Sequence, residues 1–330
     1  MTSVFGRRDA FALSAALIGA PALPRVAQAQ AVSRTARAII GFPAGGSSDI
    51  VARLYAERLR GAFAPQVVVE SRSGAAGRIA VEAVKAADAD GTTWLQTPAS
   101  MMTVHPHLYA REVRYDALTD FVPVSTVVSF PFSLCVPAAH PARDVASFAA
   151  WARAQTGEVP WASPAAGAVP HFMGILMGRA LGLRLTHVPY RGGAPAIQDV
   201  IGGRLPAFLG VLAEQIPLHN AGLRIIAVSS AQRNSKLPDV ATFAEQGLPA
   251  LTMEEWFGVL LPAATPAAIV AALHQAITTA SQHPELRAAL ERLEFAPTVS
   301  STPRDFADRI RRERMEWGPI VRESGFQPEG

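Results

Sequence analysis

The strongest constraint on this chain is an alternation. Short apolar runs of strand length are followed repeatedly by a Gly/Ser-rich loop and then by an amphipathic stretch of helix length. Residues 38–42 read as a buried strand, and residues 49–59 as a helix with apolar positions three and four apart. A second strand over 67–70, a second helix over 77–87 and a third strand over 93–96 follow. A β-α-β-α-β order needs crossover connections, so it implies a mostly parallel sheet with helices on its faces.

A second unit of the same kind comes later. Strands are expected over 161–163, 185–189, 206–209 and 223–228, with helices over 145–154, 170–181 and 194–202 between or beside them. Two longer β-branched runs, 121–137 and 256–261, suit crossings between the units. Three helices, 266–281, 284–293 and 303–324, close the chain, each beginning at or beside a proline suited to a first helical turn. The expectation is an α/β chain of two lobes, 32–130 plus 252–330 and 131–251, with two mostly parallel sheets flanked by helices. A cleft between two such lobes is a standard place for a small ligand.

Composition narrows the function. Charged residues make up only 17% of the chain, which argues against a nucleic-acid partner held by a dense basic patch. Cys135 is the single cysteine, so neither an intrachain disulfide nor a cysteine-based zinc site can form. His105 and His107 flank a proline with no acidic partner nearby, which makes metal binding a minority reading, and no cofactor signature is present.

The first 29 residues read as an export signal. Arg7 and Arg8 precede an apolar run over 11–20 that is too short to span a bilayer, and Ala27-Gln28-Ala29 offers a small-x-small cleavage pattern. The paired arginines and Arg25 lean toward the twin-arginine route, although Ala10 is a poor match for the apolar residue usual there. The whole chain carries 30 Lys+Arg against 27 Asp+Glu; the segment holds three of those arginines and only Asp9, so its removal leaves a net charge of +1. A nearly neutral body would attract an anion by local backbone dipoles rather than by bulk charge.

Four strand-to-helix loops carry the chemistry. The first is Gly41-Phe-Pro-Ala-Gly-Gly-Ser-Ser-Asp49. Gly45 and Gly46 permit close backbone approach, and Ser47, Ser48 and Asp49 are all good helix caps, so the free N–H groups at this helix start suit an anion. The same residues also suit a plain tight turn. No Gly-Lys-Ser/Thr ending is present, so it is not a nucleotide P-loop. The second loop, Ser71-Arg-Ser-Gly-Ala-Ala-Gly-Arg78, offers Gly77 for close approach and Arg78 either as an added charge or as a solvated first-turn residue. The third, 161–171, contributes Ser163 and His171; the fourth, 188–195, contributes Tyr190 and Arg191. A lone histidine is more often packed than functional. Glu254 and Glu255 could pair, yet neighbours on a strand point to opposite faces.

These loops, in order, closely resemble the Bug family, the substrate-binding proteins of tripartite tricarboxylate transporters. Further matching segments are 116–124, 237–242 with 247–249, and 256–262, so the resemblance spans about residues 38–326. It implies a type II-like, Venus-flytrap periplasmic binding protein, not an enzyme, that closes around a small carboxylate and serves membrane transporter subunits as a monomer. It also implies ligand contacts at Phe42, Ala44, Gly45, Gly46, Ser47 and Asp49 in the first loop and at Gly77 in the second. Thr97 and Ser100 beyond the third strand, with Ser163, His171, Tyr190 and Gly193, would complete the cleft. Departures from the family pattern are the serine at position 73, Pro98, and Gly210 where an acidic residue is common. An acid there could read an amino or hydroxyl group, which Gly210 cannot. Two other functions stay open at this stage: a receptor feeding a sensor kinase, and an exported hydrolase using Ser47 or Ser48 with His171.

Overall fold

The computed structural model describes residues 31–326; the expected export segment 1–29, with its expected cleavage site near Ala29, lies outside the described residues. Strands β1 (Ala36–Ile40), β2 (Val67–Ser71) and β3 (Thr93–Pro98) alternate with helices α1 (Ser47–Leu59) and α2 (Arg78–Lys85). Two short helices, α3 (Ala99–Thr103) and α4 (His105–Leu108), lead to the 17-residue strand β4 (Phe121–Pro137). The second unit runs α5 (Val145–Arg153), β5 (Val159–Ser163), α6 (Val169–Leu181), β6 (Leu185–Pro189), α7 (Gly193–Ile201), β7 (Phe208–Val211), α8 (Leu212–Gln215) and β8 (Leu223–Val228). Strand β9 (Glu254–Pro262), helices α9 (Ala267–Ser281) and α10 (Pro284–Arg292), the two-residue β10 (Ala296–Pro297) and helix α11 (Pro303–Ser324) finish the chain.

In the first half β1 lies between β2 and β3, all parallel, and β9 runs antiparallel beside β3. In the second half β5 lies parallel between β6 and β7. The two parallel sets are joined by β4. Its residues from Phe121 to Pro131 pair with β9, while Phe132–Cys135 pair with β7 and Ser133–Pro137 with β8. Two parallel sets are thus hydrogen-bonded into one continuous path, β2-β1-β3-β9-β4-β7-β5-β6. Most residues of β4 are buried, which fits a strand covered on both faces and explains its apolar, β-branched composition.

The alternation places every strand end as a loop start. Element boundaries move by a residue or two from the sequence expectation: β1 ends at Ile40, two residues before Phe42, and β7 is centred on Leu209. The core is not split between the halves. One buried cluster includes Ala36 and Trp94 of the first half, Phe130 and Phe132 of the crossing strand, and Phe148 and Trp161 of the second half.

The first two loops touch through glycine. An ideal Cβ on Gly41 would fall 2.8 Å from the Cα of Gly77 and 2.9 Å from its carbonyl oxygen, so neither loop can retreat from a side chain there. The Ser71 hydroxyl donates to the Phe42 carbonyl at 2.6 Å, and the Arg72 amide donates to the Ile40 carbonyl at 2.8 Å, closing the same seam. The expected outcome of Gly41→Ala is a loss of about 1–3 kcal/mol through overpacking against immovable backbone. Urea unfolding of the variant beside the parent checks it; an unchanged midpoint would show that the two loops part freely.

Candidate ligand-binding site

Helix α1 begins one residue after Gly46, whose position as helix cap supplies no side chain to satisfy the first-turn amides. The loop before it is shaped by its own aspartate. Asp49 accepts from the Gly45 amide at 3.0 Å and from Arg53 Nε at 2.9 Å, and Gly45 takes φ +83, a left-handed conformation that suits glycine. Burial pushes the Asp49 carboxyl up, but Arg53 and the Gly45 amide outweigh it and hold it below the usual carboxylate range. The Gln96 amide donates to the Ser48 carbonyl at 2.9 Å and fixes α1 against β3.

The N–H group at the start of α1 is not left open. Glu214, on α8 of the second half, accepts from the Ser47 amide at 3.1 Å and also from the Ser47 hydroxyl, both on Oε1. Its other oxygen lies against Gly193, the first residue of α7: an ideal Cβ at that position would fall 1.7 Å from Glu214 Oε2. A side chain at position 193 would therefore displace the Glu214 carboxylate. A second carboxylate enters from β9, where Glu255 accepts from the Ser100 amide at 2.9 Å. Glu254 is exposed and Glu255 buried, as strand alternation demands. Burial raises both carboxyls, Glu214 against the opposing pull of Ser47, and Glu255 to about 7.

Both carboxylates line a cleft between the halves, of about 90 Å3 of water-accessible space. Its remaining wall is mostly apolar, with Phe130, Phe132 and Phe257 from the crossing strands and prolines from the loops. Of the residues expected from the sequence, Phe42, Ala44, Gly46 and Ser47 from the first half line this cleft, as do Ser100, Arg191 and Gly193. Gly77, Arg78 and Tyr190 line an adjoining cavity of about 320 Å3, which shares Phe42, Pro43, Pro164 and Arg191 with the cleft. The Arg78 guanidinium lies 3.9 Å from the centre of the Tyr109 ring, in the wall of that cavity.

The other expected residues stand behind these walls. Gly45 and Asp49 form the turn described above, and Thr97 is buried at the end of β3. Ser163 bonds His187 Nε2 at 2.7 Å, and the His171 ring stacks on His187 with centroids 3.8 Å apart. His171 Nδ1 accepts from the Gly167 amide at 3.1 Å and so braces the third loop. Burial drives His171 down to about 4, and burial together with His171 drives His187 down to about 2, so both rings are neutral. The Tyr190 hydroxyl donates to Asp199 at 2.5 Å, and the Gly192 amide donates to the Pro164 carbonyl at 2.8 Å, joining the third and fourth loops.

Neither Ser47 nor Ser48 pairs with His171. The Ser47 hydroxyl bonds Glu214, the Ser48 hydroxyl is buried without a partner, and His171 is bound within its own loop. Among the described residues no group of three or more metal-ligating side chains occurs, and no helix is long and apolar enough to cross a membrane. Sequence reasoning passed over Glu214 and Glu255 as site residues. The absence of an acid at Gly210 was real, but Glu214 enters from α8 four residues later. The available signal was an acid inside the apolar context of 209–216, and another beside Trp256 in an apolar strand.

A two-lobed α/β fold with loops of both lobes around one cleft defines a solute-binding protein of the periplasmic type. The tripartite tricarboxylate transporter family receptor profile matches residues 51–326. BugT of Bordetella pertussis is 31% identical over 294 residues, covering 89% of this chain and 90% of BugT. The structure of R. palustris Rpa4515 with adipate superposes with a TM-score of 0.84 at 30% identity, covering 90% of this chain and 99% of that one. MatC from Rhodopseudomonas palustris, with bound malate, gives a TM-score of 0.81 at 26% identity, covering 87% and 99%. The chain belongs to the receptor family of the tripartite tricarboxylate transporters, and its relatives are solute-binding proteins rather than enzymes.

The raised Glu255 carboxyl has a consequence for stability. The folded chain holds this proton more tightly than the unfolded chain, whose carboxyl titrates near 4.5. Its contribution therefore favours the fold below that range and is lost as pH rises through about 7. The expected outcome is that Glu255→Gln flattens the fall in stability between about pH 5 and about pH 8 by up to roughly 3 kcal/mol. Chemical denaturation at both pH values checks it, with identical pH profiles for variant and parent as the contrary result.

Proposed function

We propose that this chain is an exported receptor that captures a small carboxylate between its lobes and presents it, as a monomer, to membrane transporter subunits. The observation that carries this reading is the convergence of strand-end loops from both halves on one cleft and its adjoining cavity. The relatives solved with adipate and malate support a carboxylate as ligand. The lobes divide at 32–130 plus 252–330 and 131–251; the change of partners along β4 between Pro131 and Phe132 supports that boundary. Residues 1–29 act as a twin-arginine-like signal that is cut near Ala29 and delivers the receptor to the periplasm.

Capture follows from the geometry. A ligand resting on the first-half loops meets Arg191, Gly192 and Gly193 of the fourth loop only when the halves are together, so its binding energy favours the closed arrangement. The cleft is too small for a macromolecular ligand. A thermal-shift screen over small carboxylic acids identifies the ligand, since binding to the folded state alone raises the melting temperature. On the ligand found, Asp49→Ala is expected to weaken affinity about tenfold by freeing the Gly45 turn, while the unliganded chain loses about 1–2 kcal/mol. Unchanged affinity by calorimetry would remove the first loop from the site.

A further inference from the structure

We infer that the cleft and its adjoining cavity together accept an elongated zwitterion, with a protonated amine seated between Glu214 and Glu255 and a carboxylate held by Arg78 and Arg191. This deepens the receptor reading above and rests on it.

Acidic and basic groups line two connected spaces. Glu214 and Glu255 line the cleft, while Arg78 lines the adjoining cavity, and Arg191 stands where the two spaces meet. Neither glutamate forms an ion pair among the described residues, and neither do Arg78 and Arg191, although thirteen ion pairs are found elsewhere on the chain. A buried carboxylate without a counter-charge is costly in an apolar setting. An ammonium group placed at these carboxylates offsets that cost.

The local chemistry suits that group. Hydrogen bonds to the two carboxylates fall on Oε1 in each case, so each keeps an oxygen to offer a ligand. Ser48 lines the same cleft with a hydroxyl that is buried and unpartnered, a further acceptor for an ammonium. Phe130, Phe132 and Phe257 supply ring faces that favour a cation and pack an alkyl or aryl body. A second carboxylate at this end would instead confront two carboxylates, and the α1 amide that could have received it is held by Glu214. At the far end the Arg78 guanidinium, stacked on Tyr109, and the uncommitted Arg191 provide the anion site.

The test compares ligands of matched length. Calorimetry on the mature chain is run with succinate, glutarate and adipate, and with their counterparts in which one carboxylate is replaced by an aminomethyl group: γ-aminobutyrate, δ-aminovalerate and ε-aminocaproate. At least one amine is expected to bind about tenfold or more tightly than its dicarboxylate partner. Glu214→Gln and Glu255→Gln, which keep the volume and the Oε1 acceptor, are each expected to erase that preference while dicarboxylate affinity holds or rises. Preference for the dicarboxylates in the parent chain overturns the inference, as does a preference unchanged in both variants or a failure of both series to bind. A carboxylate hit in the thermal-shift screen leaves the receptor reading standing in each of those cases; no hit in that screen removes both.

Discussion

The molecule depends on one backbone ladder, that of β4. A strand that is buried along most of its length must have its N–H and C=O groups paired on both sides, because water cannot reach them. Strand β4 pairs with β9 along its first part, where β10 joins it on the other side at Val128 and Ser129, and with both β7 and β8 along its second. It therefore belongs to both halves at once, and the aromatic residues at its change of partners, Phe130 and Phe132, form the floor of the cleft. The two parallel sets hang from this crossing, so their strand-end loops are brought face to face. The shared core that runs from Trp94 to Trp161 follows from the same arrangement.

Within that frame the cleft is governed by how buried carboxylates are satisfied. The first-turn amide of α1 carries partial positive charge, and in most such settings an external anion would be the natural partner. Here the partner comes from the opposite half, since Glu214 reaches Ser47 across the cleft and presses against Gly193. Within the first half, Glu255 of β9 holds the Ser100 amide. These two contacts turn an expected anion site into an acidic one and shift the open cationic groups to the neighbouring cavity. Asp49 has a different task. Its bonds to the Gly45 amide and Arg53 shape the turn that carries Ala44 and Gly46 into the wall.

Much of this architecture is legible in the residues themselves. The alternation of apolar runs with helical stretches marks nearly every strand and helix, because burial on both faces and amphipathicity leave distinct periods. Glycines mark the loops, because close approach excludes side chains; Gly41 against Gly77 and Gly193 against Glu214 are two such instances. What stays hidden is whether a loop residue faces the ligand or its own neighbours. Ser163 and His171 sit in the expected loop, yet their polar atoms are engaged by His187 and Gly167. Glu214 and Glu255 lie far from Ser47 and Ser100 along the chain, and nothing in spacing announces contacts across such separations.

The sequence by itself determined the class of fold, the order of its elements and the four loops able to meet a ligand, since local periodicity and glycine placement act within a few residues. Only the tertiary structure decided the charge of the cleft. That property depends on which side chains from distant segments share a space too dry to screen them, and burial, unlike propensity, is settled only when the whole chain has packed.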